Sequence, residues 1–594
     1  MLLFRVPGRR ARRAAYNGAQ PMKRLSRFLA RFLLLVVFCA GFQASIAPSV
    51  RALPARQQGL EDILRYIDAG WDNLSRSMSS CRTVIDPKAP DKSILYFPAD
   101  VPVPASIREL EKKCGVRIEH LPAAISRLGD LDINRIEPHG LLYLPNPYVV
   151  PGGMFNEMYG WDSYFILRGL LREGRVDLAR GIVENFFFEI AKYGGVLNAN
   201  RGYVLTRSQP PFLTSMVRAV YDAEKTLGGA DKAWLEKSYP YAVQDYELWT
   251  RAPHLAGHTG LSRYFGMGDG PVPELGAESN AYYRDVARYF LLHPGEAGSY
   301  LTRAPNLSQT DGMIGPAFQM FLCDSATGAT NSETGCDKVE TIALTKDFYK
   351  GDRSMRESGF DISFRFGAYG AATHHFAPVG LNSLLYKVEK DLEWMSAQLG
   401  RKQDANRWAQ RAETRRQAME KYFWNRDRGL YFDYDFTTNS QSSYIYATTF
   451  YPLWVGLATP EEAKAIAKNL KLFEQPGGLL MSREETSAQW DYPYGWAPIQ
   501  LIAIEGLRRY GFDEEANRIS VEFLSTVLEN FRRDGTIREK YNVVTRSSET
   551  QVKVGYTQNV IGFGWTNGVF LELLQALPEK WKSRVEGGNP SKSE

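Results

Sequence analysis

Leu381-Asn-Ser-Leu-Leu-Tyr-Lys-Val-Glu-Lys-Asp-Leu392 carries its apolar residues at Leu381, Leu384, Leu385, Val388 and Leu392. This three-and-four spacing lines up one face of a helix, so a helix is predicted over 380–400. The same period recurs on both sides. It appears over 60–80 (Leu60, Ile63, Leu64, Tyr66, Ile67, Trp71), 161–173, 177–194, 212–228, 231–250 and 279–293. It returns at 402–424, 460–472, 496–510, 512–533 and 563–577. Residues 84–105, rich in Pro and Asp, read as extended, while 254–278 and 322–340 read as loops. Strand signals are sparse: Leu430–Asp435 alternates, and Ile537–Val544 has extended character. No repeat of 20–50 residues and no Gly/Ser linker interrupts the pattern. Short connections place successive helices antiparallel, so the reading is one large all-α domain.

A chain of 594 residues can bury a large core. Its 44% hydrophobic and 23% charged content is ordinary for a soluble globular protein, whereas 13% aromatic is high. Residues 1–31 hold nine Lys or Arg and no acid, so the formal charge of +5 becomes −4 over the remainder. A nucleic-acid partner would need a basic stripe in the folded body, and none is present in the sequence. Lys23, Arg24, Arg27 and Arg31 precede the apolar run Phe32–Phe42, and small residues follow. This reads as a secretory signal over 1–52, with Met22 as an alternative start and 53–594 as the mature domain. The run is shorter than a membrane span. The expectation is a periplasmic or secreted protein, monomeric, without stable membrane association after cleavage. Of the cysteines beyond the signal, Cys323 and Cys336 flank a polar loop and are paired in this reading, as are Cys81 and Cys114; the connectivity stays open. With no Cys-x-x-Cys and no His-Glu-x-x-His, no metal and no cofactor are expected. His374-His375 is assigned a structural role.

Chemistry concentrates in three acid-bearing segments. They are Pro151-Gly-Gly-Met-Phe-Asn-Glu-Met-Tyr-Gly-Trp-Asp-Ser-Tyr164, Glu357-Ser-Gly-Phe-Asp361 and Gln489-Trp-Asp-Tyr-Pro-Tyr-Gly-Trp-Ala-Pro498. Each sets a carboxylate beside aromatics and small residues. Flat rings stack on sugar faces, and carboxylates and amides bind sugar hydroxyls, so the partner expected is a small-molecule sugar.

Together these segments resemble the trehalase family of glycoside hydrolases, periplasmic members among them. Asn198-Ala-Asn-Arg-Gly-Tyr-Val-Leu-Thr-Arg-Ser-Gln-Pro-Pro211, Trp424–Asp435, Tyr451-Pro-Leu-Trp454 and Gly562-Phe-Gly-Trp-Thr-Asn-Gly568 extend the resemblance over roughly 60–580. It implies an (α/α)6 toroid. It also implies an inverting hydrolase that cleaves α,α-trehalose to two glucose molecules. Inversion needs a protonated acid on the leaving oxygen and a carboxylate activating water from the opposite face. By resemblance Asp361 is the acid and Glu539, in Arg538-Glu-Lys-Tyr541, is the base. Asn198, Arg207, Gln209 and Glu274 would bind hydroxyls. Trp161, Asp162 and Gly359 would enclose the cleaved glucose, and Phe155 and Trp490 would stack. Arg538 and Lys540 stand beside Glu539 in sequence and offer it positive charge, although in an extended segment they point to the opposite face.

The chain departs from the family pattern at four places. Met154 and Val272 stand where the family usually has Arg, Gly380 where it has Asp, and the stretch 551–561 lacks an acid before Gly562. Both catalytic candidates remain. Two alternatives to trehalose hydrolysis therefore stay open: an α-glucosidase acting on another small α-glucoside, and a non-catalytic sugar-binding protein on the same scaffold.

Overall fold

Among the described residues, twelve helices pair into two concentric rings. The computed structural model describes residues 59–87, 90–229, 231–303, 315–322 and 338–587, all within the compact unit Pro54–Glu594. The expected signal over 1–52 and the pair Cys323–Cys336 lie outside the described residues.

In chain order the helices that build the body are α1 (Leu60–Leu74), α2 (Asp162–Arg172), α3 (Val176–Tyr193), α4 (Leu213–Thr226) and α5 (Lys232–Trp249). They continue with α6 (Lys346–Glu357), α7 (Val379–Gln398), α8 (Lys402–Phe423), α9 (Tyr451–Trp454) and α10 (Pro460–Lys468). The last three are α11 (Ala497–Arg509), α12 (Asp513–Asp534) and α13 (Gly564–Ala576). Helices α2, α4, α7, α9, α11 and α13 each pack on the next, and α13 closes on α2. This is the inner ring. Helices α1, α3, α5, α8, α10 and α12 lie outside it, giving an (α/α)6 toroid. Inner α11 is covered at all but its charged residues, as expected for a helix enclosed by others. Outer α8 instead buries one stripe: Trp408, Ala412, Arg415, Met419 and Phe423. The closing contact needs two glycines. A Cβ on Gly568 would stand 2.1 Å from the Phe165 carbonyl oxygen, and one on Gly169 would stand 2.6 Å from Gly568 Cα, so α13 and α2 cross backbone to backbone.

The predicted helices stand within a few residues of their predicted ends, except that 60–80 stops at Leu74 and 460–472 continues past Lys468 only as a 3-10 turn. One expectation needs correction. The stretch 322–340 is not all loop: strands Ala317–Leu322 and Lys338–Leu344 form an antiparallel pair with Leu322 opposite Lys338. Thr341 and Ile342 supply β-branched residues that favour it. Helix α6, not predicted, has a polar sequence in which Asp352, Arg353, Arg356 and Glu357 are buried in the body, so apolar periodicity does not reveal it. Cys81 and Cys114 form a disulfide, with Cα atoms 5.4 Å apart. Among the described residues no helix is long and apolar enough to cross a membrane.

Candidate active site

The expected site residues come from one end of the toroid. Each lies on a connection leading from an outer helix to the next inner one, or at the first residue of that inner helix. Phe155, Trp161 and Asp162 enter α2; Asn198, Arg207 and Gln209 enter α4; Glu274, Gly359 and Asp361 precede α7; Trp490 enters α11; Glu539 precedes α13. All eleven line a single cavity of about 280 Å³. Beside them on its wall stand Met154, Tyr159, Tyr203, Arg356, Gln489, Trp496, Tyr556, Gln558 and Trp565.

Indoles form one side of this cavity. Trp490 and Trp496 stack with centroids 3.8 Å apart and planes at 6°. Trp161 leans on Trp490 at 5.9 Å, and Trp565 meets Trp161 and Trp496 edge-on. Gly359, at φ +75°, passes so close to Trp161 that a Cβ would stand 2.9 Å from the indole; both the left-handed backbone and the contact require glycine. The indoles also hold the acid-bearing backbone: Trp565 Nε1 donates to the Glu539 carbonyl at 3.1 Å, and Trp496 Nε1 to the Gln489 carbonyl at 3.0 Å. Gln489 Nε2 in turn donates to the Asp361 carbonyl.

Across from them lies a charged cluster. Arg207 Nη1 donates to Glu274 Oε1 at 2.7 Å. Arg356 Nη1 is 3.9 Å from that same oxygen and 3.9 Å from Asp361 Oδ2. It also donates to Tyr556 Oη at 3.0 Å, and Tyr556 Oη donates to Asp361 Oδ2 at 3.3 Å. Burial pushes the Asp361 carboxyl up to about 6, against the pull of Arg356 and Arg207. Glu274 is buried too, which raises it, but the two guanidiniums hold it below its ordinary value. Burial lifts Asp162 well above the carboxylate range, and the charges of Glu539 and Asp361 add to the lift. Arg207 Nε, Arg356 Nη2, Glu274 Oε2 and Gln489 Oε1 are buried and make no hydrogen bond within the described protein. Buried polar atoms on a cavity wall are the complement of a polyhydroxylated ligand.

Glu539 is set by strand pairing. Tyr494–Trp496 runs antiparallel to Lys540–Asn542, with Trp496 opposite Lys540. Lys540 does not point away from its neighbour as the extended segment implies: it is fully buried, and Nζ turns back to donate to Glu539 Oε2 at 2.8 Å. Arg538 does leave, pairing with Asp534 at 3.0 Å.

Sequence reasoning missed Arg356, Tyr556 and Gln558. Arg356 directly precedes the Glu357–Asp361 segment, and its four-residue spacing from Asp352, whose Oδ1 lies 3.3 Å from Arg356 Nε, was the available signal. Glu357 itself does not line the cavity; it holds the loops by accepting from the Phe265 N–H at 2.6 Å and lying 3.3 Å from His254 Nε2. The departures also separate. Met154 reaches the cavity, as do Tyr556, Gln558 and Val560 from the acid-free stretch. Val272 is buried, its N–H donating to Tyr283 Oη at 2.9 Å, and does not line the cavity. Gly380 packs against Thr448 within α7, away from the cavity.

The trehalase family profile matches residues 56–292 and 322–578. The chain belongs to the trehalase family. The neutral trehalase of Saccharomyces cerevisiae superposes with a TM-score of 0.71 at 30% identity, covering 89% of this chain and 96% of that structure. Among sequences, the cytosolic neutral trehalase of Neurospora crassa is 36% identical over 73% of this chain and 58% of its own length. That of S. cerevisiae is 33% identical over 84% and 69%. The chain thus spans about three fifths of the length of the first of these trehalase-family relatives. The expected periplasmic or secreted location is overturned: these relatives carry the name cytosolic neutral trehalase. A basic leader followed by an apolar run was insufficient ground for that reading.

Proposed function

We propose that this chain hydrolyses α,α-trehalose to two glucose molecules with inversion at the cleaved carbon, in the cytosol as the names of its relatives indicate. The observation that carries this reading is the convergence of all eleven expected residues on one cavity. Asp361 is the general acid: raised to about 6, it keeps a proton to give the glycosidic oxygen in mildly acidic solution. Glu539, held by Lys540, takes a proton from the attacking water, whose oxygen bonds to the anomeric carbon as the bond to the leaving glucose breaks. As Asp361 gives up its proton, Arg356 and Arg207 stabilise the carboxylate that forms. Asn198, Gln209 and the free edges of Arg207 and Glu274 bind hydroxyls. Trp161, Asp162 and Gly359 enclose the cleaved glucose, while Phe155 and Trp490 flank it. Trp496 already covers one face of Trp490, so only the other face or the ring edge is open to sugar.

Met154 favours a second reading. A thioether stands on the cavity wall where the family usually places a guanidinium, and it is 41% exposed. An acceptor with fewer hydroxyls than glucose, such as a polyol or organic-acid glucoside, would fit that wall. The test is glucose release by the purified full chain from trehalose and a panel of α-glucosides, with the first-formed anomer read by NMR. β-Glucose appearing first, alongside α-glucose from the leaving half of trehalose, supports the proposal. Turnover of another glucoside alone transfers it to the second reading, and no turnover on the panel overturns both.

A further inference from the structure

His374 and His375 are consecutive, yet both rings aim Nε2 at the same oxygen. His374 Nε2 lies 2.8 Å from Asp347 Oδ1, and His375 Nε2 lies 3.6 Å from it. The two rings are 4.0 Å apart. They occupy the 3-10 turn Thr373–His375, in which successive side chains point about 120° apart. One histidine–carboxylate hydrogen bond explains His374. It does not explain His375, whose nitrogen stands beyond hydrogen-bonding distance and still converges on that oxygen.

We infer that Asp347, His374 and His375 form a binding site for a late first-row transition ion, Zn²⁺ foremost. Donor atoms at about 2.0–2.1 Å from a tetrahedral ion stand about 3.3 Å apart, and the two measured separations straddle that value. All three donors can be chosen within 4.8 Å of one another. The other carboxylate oxygen, Asp347 Oδ2, accepts from Ser299 Oγ at 2.6 Å, which orients Oδ1 toward the imidazoles as outer hydrogen bonds orient metal ligands. The histidine backbone is fixed as well: the His374 carbonyl accepts from Arg263 Nη1 at 2.8 Å, and the His375 carbonyl accepts from the Phe436 N–H at 3.2 Å. The side chains of His375 and Asp347 are 27% and 33% exposed, leaving a path for the ion and room for water as a fourth ligand. Two imidazoles and one carboxylate suit Zn²⁺ better than Ca²⁺ or Mg²⁺.

The place of the site gives it a role. Asp347 opens α6, whose far end leads into Asp361, and the two histidines close the same segment just before α7. An ion would clasp both ends of a stretch separated by 27 residues, fixing the loop that carries the general-acid candidate. This role is structural and does not depend on the substrate.

The test uses the full chain, stripped with EDTA and dialysed. Zn²⁺ is titrated by calorimetry, and Co²⁺ is added to a parallel sample for its visible d–d bands. The expected result is one Zn²⁺ per chain, tetrahedral Co²⁺ bands and a higher Tm with Zn²⁺ present. His375→Ala and Asp347→Asn should each weaken binding at least about tenfold, remove the Co²⁺ bands and abolish the Tm rise. Circular dichroism checks that each variant is folded; the two alter different elements, so either suffices if the other fails. Absence of stoichiometric binding overturns the inference, since the trio would then be an ion pair only. Unchanged affinity in a folded variant overturns it equally, placing the ion at another of the seven histidines.

Discussion

Arg356 Nη1 stands 3.9 Å from Asp361 Oδ2, and the Tyr556 hydroxyl bridges the two, accepting from the guanidinium at 3.0 Å and donating to the carboxylate at 3.3 Å. The proton on the acid is therefore set by two opposed effects: burial raises the carboxyl to about 6, and Arg356 is the largest of the charges lowering it. A general acid works while protonated, so kcat/KM should fall as pH rises through about 6. Arg356→Met removes the opposing charge and should move that alkaline limb to higher pH, while Arg356→Lys should leave it nearly in place. A limb that stays put in Arg356→Met would show that Asp361 is not the titrating acid.

The same shift predicts a stability effect. Asp361 holds its proton more tightly folded than unfolded, about 6 against 3.8. Below pH 3.8 both states are protonated and the buried neutral carboxyl carries no penalty. Between 3.8 and 6 the folded state is progressively penalised, and above 6 the cost is constant at about 3 kcal/mol. Asp361→Asn should thus lower kcat by about 10²–10⁴-fold while raising Tm at pH 7, the rise vanishing near pH 3.5. Thermal unfolding of both proteins at the two pH values checks it; a variant no more stable at pH 7 would contradict the burial argument.

The helices and the site were legible for different reasons. Leu381, Leu384, Leu385, Val388 and Leu392 declare α7 because an apolar face has a period. Helix α6 declares nothing, since Asp352, Arg353, Arg356 and Glu357 are buried through ion pairs and hydrogen bonds, and local composition carries no signal for a distant partner. Phe155, Trp161 and Trp490 could be chosen from aromatic clustering and family resemblance. Tyr556 could not: it reaches Asp361 across 195 residues from a stretch that departs from the family pattern. Likewise strand alternation alone would not bring Lys540 to Glu539, because it fixes where Cβ points, not where a four-carbon chain can curl.

Lys540 supports a third prediction. Its ammonium is fully buried and donates to Glu539 Oε2 and, at 3.3 Å, to the Gln558 carbonyl. Lys540→Met leaves a largely buried carboxylate without its partner, which should cost about 1–3 kcal/mol. Glu539→Gln in the same chain should recover part of that loss, because a neutral amide tolerates burial better. Denaturant unfolding of the two single variants and the double variant measures the coupling. Strict additivity would mean that the pair contributes nothing to the fold.

The last prediction concerns Met154, one of the departures that reach the cavity wall. If the acceptor is glucose, Met154→Arg adds a charge-assisted hydrogen bond to a hydroxyl, worth about 1.5–3 kcal/mol. That would raise kcat/KM for trehalose by roughly ten- to a hundredfold. The buried atoms already lacking partners, Arg207 Nε, Arg356 Nη2 and Glu274 Oε2, belong to other residues around the cavity and are left as they are by the change. The gain should therefore be selective for acceptors that present a hydroxyl toward residue 154. If the natural acceptor presents an apolar or shorter group there, the new guanidinium is left facing it unpaired, and turnover of that glucoside should fall while trehalose still gains. Steady-state kinetics on trehalose and the best alternative glucoside separate the cases. An equal effect on both would mean that residue 154 touches only the shared glucose, and the choice of acceptor would then rest with Tyr556 and Gln558.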